Sequence, residues 1–396
     1  MALGGSGGGC VRIILHIDLD SYFATIEQQA NPRLRGQPIG VTGGDRLDRT
    51  VLGTASIEAK KLGVKTGMPI WEAKRLCPNL ILVRGDADKY LSTTKHFINI
   101  LKDYSPALEI FSIDESFLEL PANNNLQDAT RFAVEIKQKI RSRIGGWVTC
   151  SIGISYNKLM AKLASDLQKP DGLVVIYDEE SACWILDRCK LDDLCGIGYR
   201  IKKRLFDLGI ADFKRLRLMP RESLLAHFKS YGETLYTMAR GIDHTPILPF
   251  YEKEEVKSIG QQYTLDDNTA DPEQIRQLLL KLTELIARRS RAKKLVSKTV
   301  SCWFRYADFS SAGMQITIPY THNGLEIFNG AWKIFNKIWT GGQIRLVAVS
   351  LSNLKPQNPH NLTFLEEDLR QERIIKTLDI INDKYGEFTL KRGYLL

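Results

Sequence analysis

Two short acidic segments, far apart in the chain, carry residues able to hold a cation: His16-Ile17-Asp18-Leu19-Asp20 and Ser112-Ile113-Asp114-Glu115-Ser116. The first closes an apolar run from Val11 to Leu19 that reads as a buried strand. Side chains alternate along a strand, so His16, Asp18 and Asp20 share one face and Leu15, Ile17 and Leu19 the other. The second lies between Leu108–Ile113 and Phe117–Leu120, which puts Asp114 and Glu115 at or near the tip of a hairpin. Strand interiors disfavour Asp and Glu, and burying an unpaired carboxylate is costly. A metal is the natural counter-charge, and oxygen donors converging from two strands suit a hard cation such as Mg²⁺. The chemistry indicated is two-metal phosphoryl transfer. Either segment alone also reads as a surface hairpin or a solvated strand end; their company favours chemistry.

The elements around these segments give that company. Ser21 to Gln28 reads as a helix start, and its Tyr22 and Phe23 would roof the acidic site or simply fill a core. A strand near Val51–Ala55 precedes a helix Ile57–Leu62 and the turn Gly63-Val64-Lys65-Thr66-Gly67-Met68-Pro69, where Lys60, Lys61 and Lys65 gather positive charge. Residues 129–144 carry helical periodicity and Val148–Ile154 a strand. A further helix follows, with Leu159, Leu163 and Leu167 as its buried stripe and Lys169 at its end before Pro170, placed to reach a phosphate.

Leu194 to Leu205 reads as a helix–hairpin–helix. Gly196 and Gly198 let backbone N–H groups approach a phosphate, and Arg200, Lys202 and Lys203 add charge; such elements grip a duplex backbone without reading sequence. His244–Val256 is Pro-bearing and aperiodic, as a linker is. Beyond it, a helix opens at Asp271-Pro272 and ends among Arg288, Arg289, Arg291, Lys293 and Lys294. Strands are predicted at Thr299–Arg305, Gln315–Ile318 and Ile344–Leu351, with a second helix bearing Trp332 and Trp339 in the core. Two helices on a sheet with a basic edge, which takes in Lys298 and Arg305, make a small separate domain.

Bulk composition agrees. A chain of 396 residues exceeds one ordinary core, and its 55 Lys+Arg against 46 Asp+Glu leave +9, which suits a polyanionic partner. No apolar run is long enough to span a bilayer. The seven cysteines are scattered without a CxxC pair; Cys183, Cys189 and Cys195 are evenly spaced but have no His nearby to complete a zinc pattern. They are expected to be reduced thiols of an intracellular, cytoplasmic protein. The Gly-rich start, Ala2 to Gly9, lacks signal-peptide character and reads as a flexible leader outside the fold.

Together these stretches resemble the Y-family translesion DNA polymerases, nearest the bacterial DNA polymerase IV branch. HIDLDSYFATIEQ, GVKTGMP, SIDESF, SIGISYNKLMAKLASDLQKPDG, the Gly-Ile-Gly hairpin, KSIGQQYTL and IRLVAVSLSNL occur in the family's order between about Val11 and Leu354. The resemblance implies an α+β multidomain fold: a right-hand polymerase core plus an α/β little finger. The implied divisions are a leader (1–10), palm (11–21 and 87–176), fingers (22–86), helical thumb (177–243), linker (244–256), little finger (257–355) and tail (356–396). It implies a monomeric DNA-directed DNA polymerase, of low fidelity and without proofreading, that adds deoxynucleoside triphosphates to a primer–template. Asp18, Asp114, Glu115 and the Leu19 carbonyl would hold two Mg²⁺ ions, for which Mn²⁺ can substitute. Phe23 would be the steric gate against a ribose 2′-OH, Tyr22 would pack beside the sugar, and Thr54, Lys60 and Lys169 would hold the triphosphate. Asp20 matches a position that is not usually a ligand.

Two departures stand out. Where relatives commonly show Tyr-Glu-Ala-Arg, this chain has Ile57-Glu58-Ala59-Lys60. Ile57 cannot donate a phosphate hydrogen bond, and Lys60 offers a point charge instead of a bidentate fork, so looser nucleotide binding is expected, offset by Lys61 or Lys65. In the tail, Asn361-Leu362-Thr363-Phe364-Leu365 stands where bacterial relatives often carry a sliding-clamp peptide. If it works as one, deleting 361–365 removes clamp-stimulated processivity. The rival readings are a nucleotide cyclase built on a similar palm and a catalytically silent DNA-binding scaffold. Neither requires both the acidic triad and two basic DNA-gripping elements.

Overall fold

The computed structural model describes residues 12–43, 50–252, 255–357, 366–390 and 393. The chain divides into two units, one ending at Lys253 and the other beginning at Glu254. In the first, β1 (Ile14–Leu19) leads into α1 (Tyr22–Ala30), followed by β2 (Ile39–Thr42), β3 (Leu52–Ala55), α2 (Ile57–Lys61), α3 (Ile70–Leu76) and β4 (Ile81–Arg84). Next come α4 (Ala87–Leu101), β5 (Leu108–Ile110), β6 (Glu115–Glu119), α5 (Leu126–Arg143), β7 (Cys150–Ser155), α6 (Lys158–Leu167) and β8 (Leu173–Val175). Five helices close this unit: α7 (Glu179–Leu186), α8 (Tyr199–Asp207), α9 (Phe213–Leu218), α10 (Arg221–Phe228) and α11 (Ser230–Met238). The second unit holds β9 (Ser258–Thr269), α12 (Pro272–Ala292), β10 (Leu295–Tyr306), β11 (Ser311–Thr321), α13 (Gly324–Ile338), β12 (Ile344–Pro356) and α14 (Glu366–Tyr385).

The palm-like sheet has order β5-β6-β1-β7-β8, with β1 at its centre and buried along all six residues. Leu15, Ile17 and Leu19 turn towards a core that includes Ala129, Ala133, Ile136 and Ile140 of α5. The other face of β1 carries Ile14, His16 and Asp18 and is covered by α6. A Cβ added to Gly153 of β7 would lie 2.0 Å from the Ala161 carbonyl oxygen, so only glycine lets α6 come this close. A separate sheet of order β3-β2-β4, with α2 and α3, surrounds a small core of Leu52, Ala59, Val64 and Ile70.

In the second unit, all strands of the β11-β10-β12-β9 sheet pair antiparallel. Its core joins Leu279, Leu282 and Ile286 of α12 and Phe328 and Phe335 of α13 to Val300, Cys302 and Phe304. Trp332 and Trp339 stack within the ring series Phe328–Trp332–Phe335–Trp339, as a core reading of both requires.

Three differences from the sequence reading have physical causes. Strand β9 had no expected counterpart, because Gln261, Gln262, Asp266, Asp267 and Asn268 give it neither alternation nor β-propensity; pairing with β12 supplies the order. Leu167 leaves the buried stripe and is 40% exposed, since it ends α6. The expected linker is tied to the first unit as far as Phe250, whose N–H donates to the Leu108 carbonyl, while Leu248 N–H donates to Glu109 Oε2. The leader 1–10 and the clamp-like Asn361–Leu365 lie outside the described residues. Among those described, no helix is long and apolar enough to cross a membrane, and Cys183, Cys189 and Cys195 are free thiols.

Candidate active site

The β1–β6 pairing decides where the acidic residues meet. Asp18 sits opposite Glu115 in this antiparallel ladder, and Leu19 N–H donates to the Asp114 carbonyl at 3.0 Å, tying the β5–β6 turn to the end of β1. Directly opposed residues project to the same side of a sheet. Asp18, Asp114 and Glu115, from segments about a hundred residues apart in sequence, are thereby brought together at one end of the adjacent strands β1 and β6.

Each of these carboxylates is held through one oxygen. Asp18 Oδ2 meets Lys169 Nζ at 2.8 Å, Asp114 Oδ1 accepts from Ser112 Oγ at 2.5 Å, and Glu115 Oε2 meets Lys162 Nζ at 2.5 Å. His16 Nε2 lies 3.4 Å from that same Glu115 oxygen, and its Nδ1 lies 2.7 Å from Ser165 Oγ. Asp18 Oδ1, Asp114 Oδ2 and Glu115 Oε1 have no hydrogen-bond or ion-pair partner among the described residues. Asp20 differs: its two oxygens accept from Thr149 Oγ1, Ser151 Oγ and the Asp171 N–H, so it serves as a structural tie.

Burial makes the acidic cluster electrostatically unfinished. It pushes the Asp18 carboxyl up to about 7, with Lys169 pulling down and Glu115 and Asp114 pushing up further. Burial opposes ionised Glu115 too, but the nearby His16 ring and the hydrogen bond from Lys162 prevail and hold it at about 2. Burial lowers the His16 pKa, favouring its neutral form. As these side chains stand, no three His, Cys, Asp or Glu groups among the described residues form a closed metal cage. The donor set nonetheless fits a hard divalent cation: three carboxylate oxygens without protein partners, and a buried charge that Lys169 alone does not neutralise.

A cavity of about 470 Å³ opens beside the cluster, with Asp18 and Asp114 in its wall together with Tyr22, Phe23, Thr54, Ile57, Lys60 and Lys169. The Phe23 ring stacks on Tyr90, with centroids 4.4 Å apart and planes at 26°. Tyr22 Oη donates to the Tyr90 carbonyl at 2.7 Å and lies 2.9 Å from Thr94 Oγ1, which donates to the Ile113 carbonyl at 2.7 Å. Helix α4 thus ties the two aromatic residues to the turn that bears Asp114. Burial, then the neighbouring Lys169, lowers the Lys60 pKa. Lys61 and Thr66 also line the cavity, whereas Lys65 is not part of that wall.

Sequence reasoning passed over Lys162, Tyr90 and Thr66. Lys162 and Tyr90 sit on helices whose partners only the fold reveals; Thr66 lay inside the quoted turn and was within reach.

The expected DNA contacts lie in both units. Gly196 has φ +102°, a conformation suited to glycine, and Gly198 caps α8 without a side-chain hydrogen bond to its first N–H groups. Arg200 and Lys203 are exposed, while Lys202 pairs with Asp192 at 2.8 Å. In the second unit Arg289, Lys293, Lys294 and Lys298 are exposed, and Arg305 is half-buried. Arg291 is drawn inward: its guanidinium grips both oxygens of Asp379 on α14 at 2.6 and 2.7 Å and donates to the His322 carbonyl.

Comparison with known proteins identifies relatives along nearly the whole chain. Residues 17–166 match the impB/mucB/samB family, residues 192–243 the DNA polymerase-iota thumb domain, and residues 256–364 the impB/mucB/samB family C-terminal domain. The DNA polymerase IV of Moorella thermoacetica is 36% identical over 394 residues, covering 97% of this chain and 96% of the relative. That of Pelotomaculum thermopropionicum is 35% identical over 389 residues, covering 97% and 95%. Among solved structures, the Y-family DNA polymerase chimera Dbh-Dpo4(243-245)-Dbh superposes with a TM-score of 0.74 at 25% identity, covering 87% of this chain and 99% of the chimera.

Proposed function

The chain belongs to the Y family of translesion DNA polymerases, and we propose that Asp18, Asp114 and Glu115 are its metal-binding carboxylates and that the adjoining cavity takes the incoming deoxynucleotide. The observation that carries this reading is the pairing of Asp18 with Glu115, with Asp114 bonded alongside, at the edge of a cavity walled by an aromatic pair and three lysines.

Two Mg²⁺ ions, for which Mn²⁺ can substitute, would be held by the three carboxylates and the Leu19 carbonyl, and would supply activation of the primer 3′-hydroxyl and charge neutralisation on the triphosphate. The remaining work falls to the chain itself. Lys169 exchanges the Asp18 carboxylate for a phosphate oxygen as substrate enters, and Lys60 and Thr54 hold the rest of the triphosphate. Ile57 offers that triphosphate only an apolar surface, and Lys61 and Thr66 stand where they can offset the loss. The Phe23 ring, backed by Tyr90, fills the space a ribose 2′-OH would need, while Tyr22 packs beside the sugar. Positioning and electrostatics suffice, so no Ser, Cys or His nucleophile enters the scheme. The Gly196–Gly198 hairpin and, in the second unit, the exposed Arg289, Lys293, Lys294 and Lys298 would grip the primer–template backbone on chromosomal DNA in the cytoplasm. Asn361–Leu365 would add the sliding-clamp contact.

A primer-extension assay tests the reading. Wild-type protein with Mg²⁺ extends a primer by the base the template specifies, using deoxynucleotides only. Phe23→Ala lowers discrimination against ribonucleotides by about 100-fold, the scale on which an apolar wall rejects an added hydroxyl. Unchanged sugar discrimination in that variant would remove Phe23 from the gate.

A further inference from the structure

We propose that Lys162 is a positioning residue for the metal site: it pins Oε2 of Glu115 and so leaves Oε1 as the oxygen that a cation takes. This rests on the assignment of Glu115 as a metal ligand.

The geometry comes from one face of α6. Residues at i, i+4 and i+7 of a helix lie along one side, and here each addresses the sheet below. Lys158 Nζ bonds both oxygens of Glu109 at 2.7 and 2.8 Å, Lys162 Nζ bonds Glu115 Oε2 at 2.5 Å, and Ser165 Oγ lies 2.7 Å from His16 Nδ1. Gly153 permits this close seating of the helix. The Lys162 side chain is 15% exposed, and its ammonium sits 5.2 Å from the centroid of the Phe111 ring, which restricts where it can go. Glu115 Oε2 is therefore held by Lys162, with His16 Nε2 3.4 Å away and making no hydrogen bond, whereas Oε1 has no partner among the described residues. A ligating carboxylate fixed through its second oxygen is the usual outer support of a metal site, and loss of such support weakens metal binding.

Lys158 and Glu109 supply an internal control. Their ion pair has the same chemistry, and similar burial at 11% and 12% exposure, and the Lys158 ammonium also sits over a ring, that of Phe117 at 5.0 Å. Glu109 belongs to β5 and is not among the three carboxylates of the site. Removing either lysine costs an ion pair; only removal of Lys162 frees a metal ligand.

The experiment measures Mn²⁺ binding by paramagnetic resonance of the free ion. Full-length protein is held with a dideoxy-terminated primer–template and the correct deoxynucleotide, so that no chemistry occurs. Lys162→Met weakens Mn²⁺ binding by about 10-fold or more, Lys162→Arg recovers most of the loss, and Lys158→Met binds Mn²⁺ as wild type does while melting at lower temperature. Lys162→Gln, which keeps a hydrogen-bond donor without the charge, gives a second reading if the methionine variant does not fold. Unchanged or tighter Mn²⁺ binding in the Lys162 variants overturns the inference, as does an equal loss in Lys158→Met. Glu115→Gln separates the two levels. If it binds Mn²⁺ normally, the ligand assignment itself falls; if it loses binding while Lys162→Gln does not, only the role of Lys162 falls.

Discussion

Asp18 in the first unit and Arg289 in the second carry opposite charges in opposite surroundings. Asp18 is 6% exposed, bonded to Lys169, flanked by Glu115 and Asp114, and driven towards its neutral form by burial. Arg289 stands in solvent at the end of α12, with a single long hydrogen bond of 3.4 Å to the Gly260 carbonyl. Two neighbours of Arg289 are already occupied within the unit: Arg291 by Asp379 and Arg288 by Asp383, both from α14. A buried charge must be compensated inside the chain or by a ligand, so its incomplete compensation at Asp18 points to a cation. An exposed cation is satisfied by water, and its position alone names no partner.

The widest separation between the two cases is in stability without divalent metal. An unperturbed Asp ionises near 3.8, whereas folded Asp18 ionises at about 7. Between these values folding retains a proton that the unfolded chain releases, so stability falls as pH rises, by up to about 4 kcal/mol. Asp18→Asn removes this penalty. In chelator at pH 8 it should melt roughly 5–10 °C above wild type, with the gap closing towards pH 4 and added Mg²⁺ favouring wild type. Glu115 has the opposite sign: its contribution is present above its ordinary 4.5 and lost as pH falls through about 2. Superimposable melting profiles for Asp18→Asn and wild type from pH 4 to 8 would mean that Asp18 carries no unmet charge.

Lys60 lies between the extremes, a cation in a cavity wall. Lys60→Ala should raise the deoxynucleotide KM roughly tenfold, the worth of one hydrogen bond to a charged group, and change kcat less. An unchanged KM would take Lys60 out of the triphosphate site. The smallest effect belongs to the exposed surface. Arg289→Ala should reduce the slope of log affinity for primer–template against log salt by about one. Arg291→Ala should leave that slope alone and lower the melting temperature, because its partner is Asp379. Equal salt slopes for the two variants would erase the distinction between free and occupied cations.

How far the sequence could be read follows the same division. Strand β1 and the hairpin bearing Asp114 and Glu115 were legible because apolar runs and turn chemistry fix them locally, and burial of acids inside them demands a counter-charge. Of the cavity residues, Lys169 was legible from its helix-end position before Pro170, and Phe23 and Lys60 from their neighbours, but their particular roles, and Thr54 altogether, came from family resemblance. Strand β9 was hidden because its order comes from β12, and the engagement of Arg291 because α14 lies more than seventy residues further along the chain. Lys162 sat in plain view on α6, but only the fold of α6 onto β1 and β6 turns a helical lysine into the partner of Glu115.

Single-turnover primer extension by Asp114→Asn and Glu115→Gln, at saturating nucleotide and Mg²⁺, addresses the central claim most directly. With the carboxylates as metal ligands, each variant binds primer–template normally and adds the first nucleotide at least about 100-fold more slowly than wild type. Extension at the wild-type rate by either variant would contradict it.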